Sequence, residues 1–341
     1  MRSTPHPRRR AARRALAVAA VAAATLGLAA CGQSGSGSAP APTSAGGAAT
    51  GAFPRTIEHA KGSTTIDKAP QRVAALDTSL VDDTIALETP VVAFTRYPGF
   101  GDSLPDYLGE DGKKYGKDAK PVGELANPKV EEIAGIAPDL IVSSSVRHEA
   151  IYDQLQKAGP TVFTKTVGVT WKENIRLLGK ALGKEDLAEK KITAYEARAK
   201  KIGDAIRAKA GKNPTVSLAR FVGGEPNVRL YTAKSFPGIV LDDTGLARPT
   251  GQPTSDKISV NLSQEQITSL DADRVFLATW ADGKGASQQV RDQFQANPLW
   301  GQLKGQRQDV NDATWISSGS LQGAGAMLDD LAKSFGVDAG H

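Results

Sequence analysis

Arginine and aromatic side chains recur just beyond short apolar runs of this 341-residue chain. Arg96 and Tyr97 follow Val91–Phe94, Arg147 follows Asp139–Ser144, and Trp171 comes shortly after Thr161–Phe163. Arg220 closes Thr215–Phe221, Arg229 and Tyr231 lie in Val228–Tyr231, Trp280 ends Arg274–Trp280, and Trp315 follows Asp309–Ala313. A guanidinium offers fixed donors to oxyanions, and Trp and Tyr offer flat apolar walls with a polar tip. That is the chemistry of holding a ligand. The chemistry of transforming one is poorly represented. There is no G-x-G-x-x-G after a strand, no Walker lysine loop, no G-x-S-x-G elbow and no H-E-x-x-H. His59, His148 and His341 stand apart from one another, and Met327 is the one methionine after Met1, so zinc, haem or copper ligation has little to work with. His148 near Ser143, Ser144 and Ser145 leaves open a nucleophile–base pair, and with it a secreted α/β hydrolase. The acid pairs Asp82-Asp83 and Asp242-Asp243 fall on helical patterns, where solvated faces are expected.

Cys31 is the single cysteine, so it cannot form an internal disulfide. Ahead of it come six arginines, then an apolar run from Ala15 to Ala30, the order of a secretory signal and too short to span a bilayer. Small residues at 29 and 30 followed by cysteine resemble the lipobox of bacterial lipoproteins, which implies cleavage before Cys31 and a lipidated, palmitate-like anchor of more than one chain. The arginine pairs are also compatible with Tat export. Cleavage would remove six of 42 basic residues and none of the 37 acids, leaving 36 against 37. The apparent basic charge therefore belongs to the leader and is no sign of nucleic-acid binding. Residues 33–52 are nearly all Gly, Ser, Ala, Pro and Thr, a flexible tether spanning on the order of 25 Å.

From residue 53 onward apolar runs alternate with helical patterns. Arg72–Leu76, Val91–Phe94, Asp139–Ser144 and Thr161–Phe163 predict strands. Between them, Ser79–Leu87 and His148–Ala158 predict helices. Asn127 with Pro128 predicts an N-cap and first turn, and Thr170 with Glu173 predicts a capping box for a helix through Leu182. In Glu185–Ala210 the apolar residues Ala188, Ile192, Tyr195, Ala199, Ile202 and Ile206 are spaced by three or four, one narrow stripe along a single helix about 39 Å long. The strand–helix pattern restarts after Gly211, with helices predicted over Ser235–Thr244, after a Ser263/Gln266 capping box, and over Ser320–Phe335. The expected fold is α/β: an N-terminal lobe at 53–184 and a C-terminal lobe at 211–337, each with a mostly parallel sheet flanked by helices, bridged by the helix 185–210, with a ligand cleft between them.

In order and spacing, Arg72–Asp77, Asn127–Ile133, Pro138–Ser144 and Tyr152–Leu155 resemble the iron–siderophore substrate-binding lipoproteins of bacterial ABC importers. The turn Ser144–Glu149, Arg220 and Thr314-Trp315 are most similar to the hydroxamate-siderophore receptors of that family. The resemblance implies a monomeric receptor on the outer face of the cell membrane that passes a ferric hydroxamate, ferrioxamine-like, to an ABC permease. Such a chelate fills the iron's own sites, so no protein metal site or resident cofactor is required. Arg220 would meet the hydroxamate oxygens and Trp315 would form the wall, with Trp280, Tyr231, Arg147, Arg96, Tyr97, Trp171 and Arg229 as further contacts. Glu131 stands where the family's first-lobe docking acid is expected, and Asp242 or Asp243 is the nearest acid for the second lobe. Cobalamin, haem and ferric citrate are the alternative ligands.

Overall fold

The computed structural model describes residues 51–340, which belong to a single unit. The chain enters through a hairpin, β1 (Arg55–His59) and β2 (Gly62–Ile66). Then follow β3 (Val73–Ala75), α1 (Thr78–Ala86), β4 (Val91–Arg96), α2 (Gly109–Tyr115), β5 (Lys120–Glu124), β6 (Asn127–Pro128) and α3 (Val130–Ile136). Next come β7 (Leu140–Ser144), α4 (Ser145–His148), α5 (Tyr152–Ala158), β8 (Thr161–Thr164) and α6 (Trp171–Leu182). These strands form a six-stranded sheet in the order β6-β5-β4-β3-β7-β8, parallel except at β5–β6. Helix α7 (Glu185–Ala210) leads to the second sheet. There β9 (Val216–Phe221), β10 (Val228–Tyr231), α8 (Phe236–Thr244), β11 (Ser259–Leu262), β12 (Arg274–Thr279), α9 (Ala286–Ala296), β13 (Gln306–Val310) and α10 (Leu321–Phe335) follow in turn. The order is β11-β10-β9-β12-β13, with β9, β12 and β13 parallel and β10 antiparallel to both its neighbours.

Helix α7 has the bounds that its apolar period predicts, and the six stripe residues are buried together with Gly203. Its two ends serve different cores. Ala188 and Ile192 join the core beneath the first sheet, whereas Tyr195, Ala199, Ile202 and Ile206 join the core of the second. Gly203 is required by close approach. A Cβ there would lie 1.8 Å from the Thr244 carbonyl oxygen at the end of α8.

Several local expectations are corrected. Asn127 and Pro128 do not open a helix. They pair with Gly123 and Glu124 as a short antiparallel strand, and the helix starts at Val130. Thr170 makes no capping hydrogen bond, because its hydroxyl turns to the Thr166 carbonyl and the Asn174 side chain. The helix expected over His148–Ala158 is interrupted by a tighter turn at Glu149–Ile151. By contrast, Ser263 and Gln266 do form their capping box, and Ser235 and Ser320 cap α8 and α10. The largest correction concerns Asp82 and Asp83, expected in water and in fact fully buried. Helix α1 is covered on its outer side by α10 from the other half of the chain.

Candidate functional site

The parallel strands of both sheets deliver their carboxyl ends to a shared cleft of about 750 Å³, lined from residues after β3, β7 and β8 on one side and after β9 and β12 on the other. Two glycines let the halves approach at its floor. Gly168 (φ 72°) and Gly319 (φ 57°) both hold left-handed backbone, and a Cβ on Gly319 would stand 3.0 Å from the Gly168 Cα. Thr78 ties the floor across the halves, donating to the Ser317 carbonyl at 2.9 Å. Among the described residues the large apolar side chains left exposed are Val146 (58%) and Ile258 (48%), and both line this cleft, one from each half. Leaving such groups in water costs about 1.5–3 kcal/mol apiece relative to burial, a cost that a bound apolar surface would recover.

Five of the nine expected contact residues come together here: Arg147, Arg220, Arg229, Tyr231 and Trp280. The other four do not. Trp315 is completely buried, packed at a tilt against Phe276 with ring centroids 4.5 Å apart, and its indole N–H donates to Asp330 at 2.8 Å. It has no face to offer a ligand and is a core residue. Trp171 is likewise enclosed, edge-on to Tyr195 and Phe236. The Tyr97 hydroxyl is turned inward, donating to Asp82 at 2.5 Å. Arg96 sits at the surface between Asp102 and Glu124.

Each cleft arginine is held by an acid that sequence reasoning passed over. Arg147 Nε donates to Asp77 at 2.9 Å. Arg220 meets Asp312 through Nε (2.6 Å) and Nη2 (2.7 Å), a two-pronged pair, and its Nη1 lies 3.5 Å from the Tyr231 hydroxyl. Arg229 pairs with Glu225 four residues earlier. Burial opposes the Arg220 charge, but Tyr231 and Asp312 outweigh it, and its pKa rises. Glu225 and Arg229 are four residues apart but lie in a loop and on β10 rather than on a helix, so their spacing gave no signal. Asp77 and Asp312 lie far in sequence from their partners and gave none.

His148 and Ser143 do form a hydrogen-bonded pair at 2.7 Å, but both are sealed from solvent. The imidazole Nε2 faces the Leu125 carbonyl at 2.8 Å, which can only accept, so Nδ1 accepts from the serine hydroxyl. Burial lowers the histidine pKa, and the pair is a neutral structural contact. Among the described residues no cluster of His, Cys, Asp and Glu could hold a metal ion. Glu131 is exposed in the first turn of α3. Asp242 is exposed on α8, whereas Asp243 is engaged by Lys172 (2.9 Å) and the Tyr195 hydroxyl (2.9 Å). Cys31 and the 1–30 leader lie outside the described residues.

Residues 73–309 match the family model described as "Periplasmic binding protein". The probable siderophore-binding lipoprotein YfiY of Bacillus subtilis is 35% identical over 298 residues, covering 82% of this chain and 87% of that protein. The Fe(3+)-citrate-binding protein YfmC of the same organism is 28% identical over 82% of this chain and 85% of its own length. Among solved structures, Staphylococcus aureus SirA complexed with staphyloferrin B superposes with a TM-score of 0.74 at 29% identity, covering 84% of this chain and 99% of that one.

Proposed function

Because this chain belongs to the periplasmic binding protein family, whose members bind solutes rather than transform them, we propose that it captures a ferric siderophore in the cleft and hands it to an ABC permease. The carrying observation is the cleft itself. Two exposed apolar side chains, one from each half, line a space that also holds Trp280, Tyr231 and three arginines. That combination suits a chelate with an apolar shell and a ring of oxygens around its iron. The siderophore names of YfiY and of the SirA complex support the class.

Within that class we favour a hydroxamate. Its ferric complex is close to uncharged, and the cleft arginines are already neutralised by acids. A ferric carboxylate chelate is the second reading, favoured by the citrate and staphyloferrin B names among the relatives. Haem is less well served, since among the described residues no histidine, methionine or cysteine lines the cleft and the Tyr231 hydroxyl faces Arg220. Lipidation at Cys31 would keep the receptor beside its permease. Exposed Glu131 and Asp242 are the acids we assign to docking on the two halves, Asp243 being engaged by Lys172 and Tyr195.

Titration of Trp emission with ferrioxamine B, ferric dicitrate, cobalamin and haemin tests the reading. Quenching by ferrioxamine B at micromolar concentration, weakened at least about tenfold by Arg220→Ala, is expected. Absence of quenching by either ferric chelate would remove the siderophore reading altogether.

A further inference from the structure

Three arginines facing a cleft would ordinarily make it an anion trap. Here each carries its own counter-charge from the same half of the molecule. Asp312 is buried and grips Arg220 with both oxygens, while also accepting from the Ser317 hydroxyl at 2.9 Å. Glu225 and Arg229 are both about one-third exposed at the rim. Asp77 is buried, fixed by the Ser79 amide and hydroxyl on one oxygen and by Arg147 on the other. The six groups sum to zero formal charge. A chelate that brings several negative charges must either displace these acids or leave its own charge uncompensated in a partly desolvated space. Both carry a free-energy cost that a nearly neutral chelate avoids.

We propose that Asp312 and Glu225 are specificity determinants, which neutralise Arg220 and Arg229 before ligand arrives and so bias the cleft toward ferric chelates of zero or single net charge over multiply anionic ones. The inference rests on the siderophore reading and deepens it. Glu225 has the easier route to exchange, being at the rim and bonded to a neighbour four residues away in sequence. Asp312 sets the deeper and more rigid part of the preference.

The test is a ratio, measured on the whole folded protein. Affinities for an uncharged ferric trishydroxamate and for a triply anionic ferric triscatecholate are determined for the native chain, Glu225→Gln and Asp312→Asn, at low and at physiological salt. The native chain is expected to favour the uncharged chelate by at least about tenfold, and Glu225→Gln to shift the ratio toward the anionic chelate by at least about fivefold, more at low salt. Asp312→Asn should shift it further, and Glu225→Gln keeps the inference falsifiable should Asp312→Asn fold poorly. Native preference for the anionic chelate, or a ratio unmoved in the variants while both chelates bind, overturns the inference and leaves the siderophore reading standing. Binding of neither chelate overturns both.

Discussion

The tripeptide Asp-Asp-Thr occurs on two helices, at residues 82–84 of α1 and 242–244 of α8, and its two copies have opposite fates. On α1 both acids are fully buried. Asp82 accepts from the hydroxyls of Tyr97 (2.5 Å), Tyr107 (2.9 Å) and Ser320 (2.5 Å), the last reaching across from the other half of the chain. Burial pushes its pKa up to about 7 even against those three hydrogen bonds. Asp83 has no side-chain hydrogen-bond partner, so burial and then the neighbouring Asp82 drive its pKa well above the ordinary carboxylate range, with the Leu321 amide offsetting a part. On α8, Asp242 remains exposed and Asp243 keeps a lysine and a tyrosine. Local sequence is the same. What differs is what lies over it: α10 covers both acids of the first copy, whereas in the second Asp242 meets solvent and Asp243 meets side chains of α6 and α7.

The difference can be broken first at Asp82. Asp82→Ala strands three hydroxyls and should cost about 3 kcal/mol in urea unfolding at neutral pH, since each unsatisfied buried group costs about 1–3 kcal/mol with some relief by water. A loss under about 1 kcal/mol would mean that α1 and α10 are not joined through this carboxyl. Asp83→Asn should act in the opposite sense and stabilise. A buried acid with a raised pKa favours the fold in its protonated form, and the unfolded chain releases that proton near 3.8. The stability it provides is therefore complete below that pH and declines as pH rises, by up to about 1.4 kcal/mol per unit per group. For Asp82 the decline ends near pH 7. The gain from Asp83→Asn should exceed about 1 kcal/mol at pH 7 and vanish below pH 4. A gain that did not depend on pH would contradict the burial argument. The smallest effects belong to the other copy. Asp243→Ala should cost about 1 kcal/mol and Asp242→Ala less than about 0.5 kcal/mol, both read from thermal unfolding at constant pH.

Legibility in the sequence followed the range of the forces involved. Helix α7 was readable to its end residues because one stripe with a helical period is a local signal. The hairpin β1–β2 was invisible, since its burial alternates but Ile57 and Ile66 are the two large apolar residues among its ten, too few to show that alternation in the sequence. Arg220 and Trp280 were found because strand ends in a parallel sheet converge, whereas Tyr231 reaches the cleft from β10, which runs antiparallel to its neighbours. Trp315 misled for the same reason. Following a strand fixes where a residue starts but not which way it turns, and Phe276 beneath it takes the ring into the core. The burial of Asp82 depends on Ser320 and Gln322, more than two hundred residues away, and no window of sequence contains both partners.

Helix α7 bears finally on how the molecule comes apart. One continuous helix supplies side chains to both hydrophobic cores, and Gly203 fits it against α8 with no room to slide. Unfolding either half would strip one end of α7 of its packing, and a bare helical segment of about a dozen residues is marginal in water. The two halves are thus expected to melt as a single cooperative unit, and amide protons along α7 to exchange only through global opening.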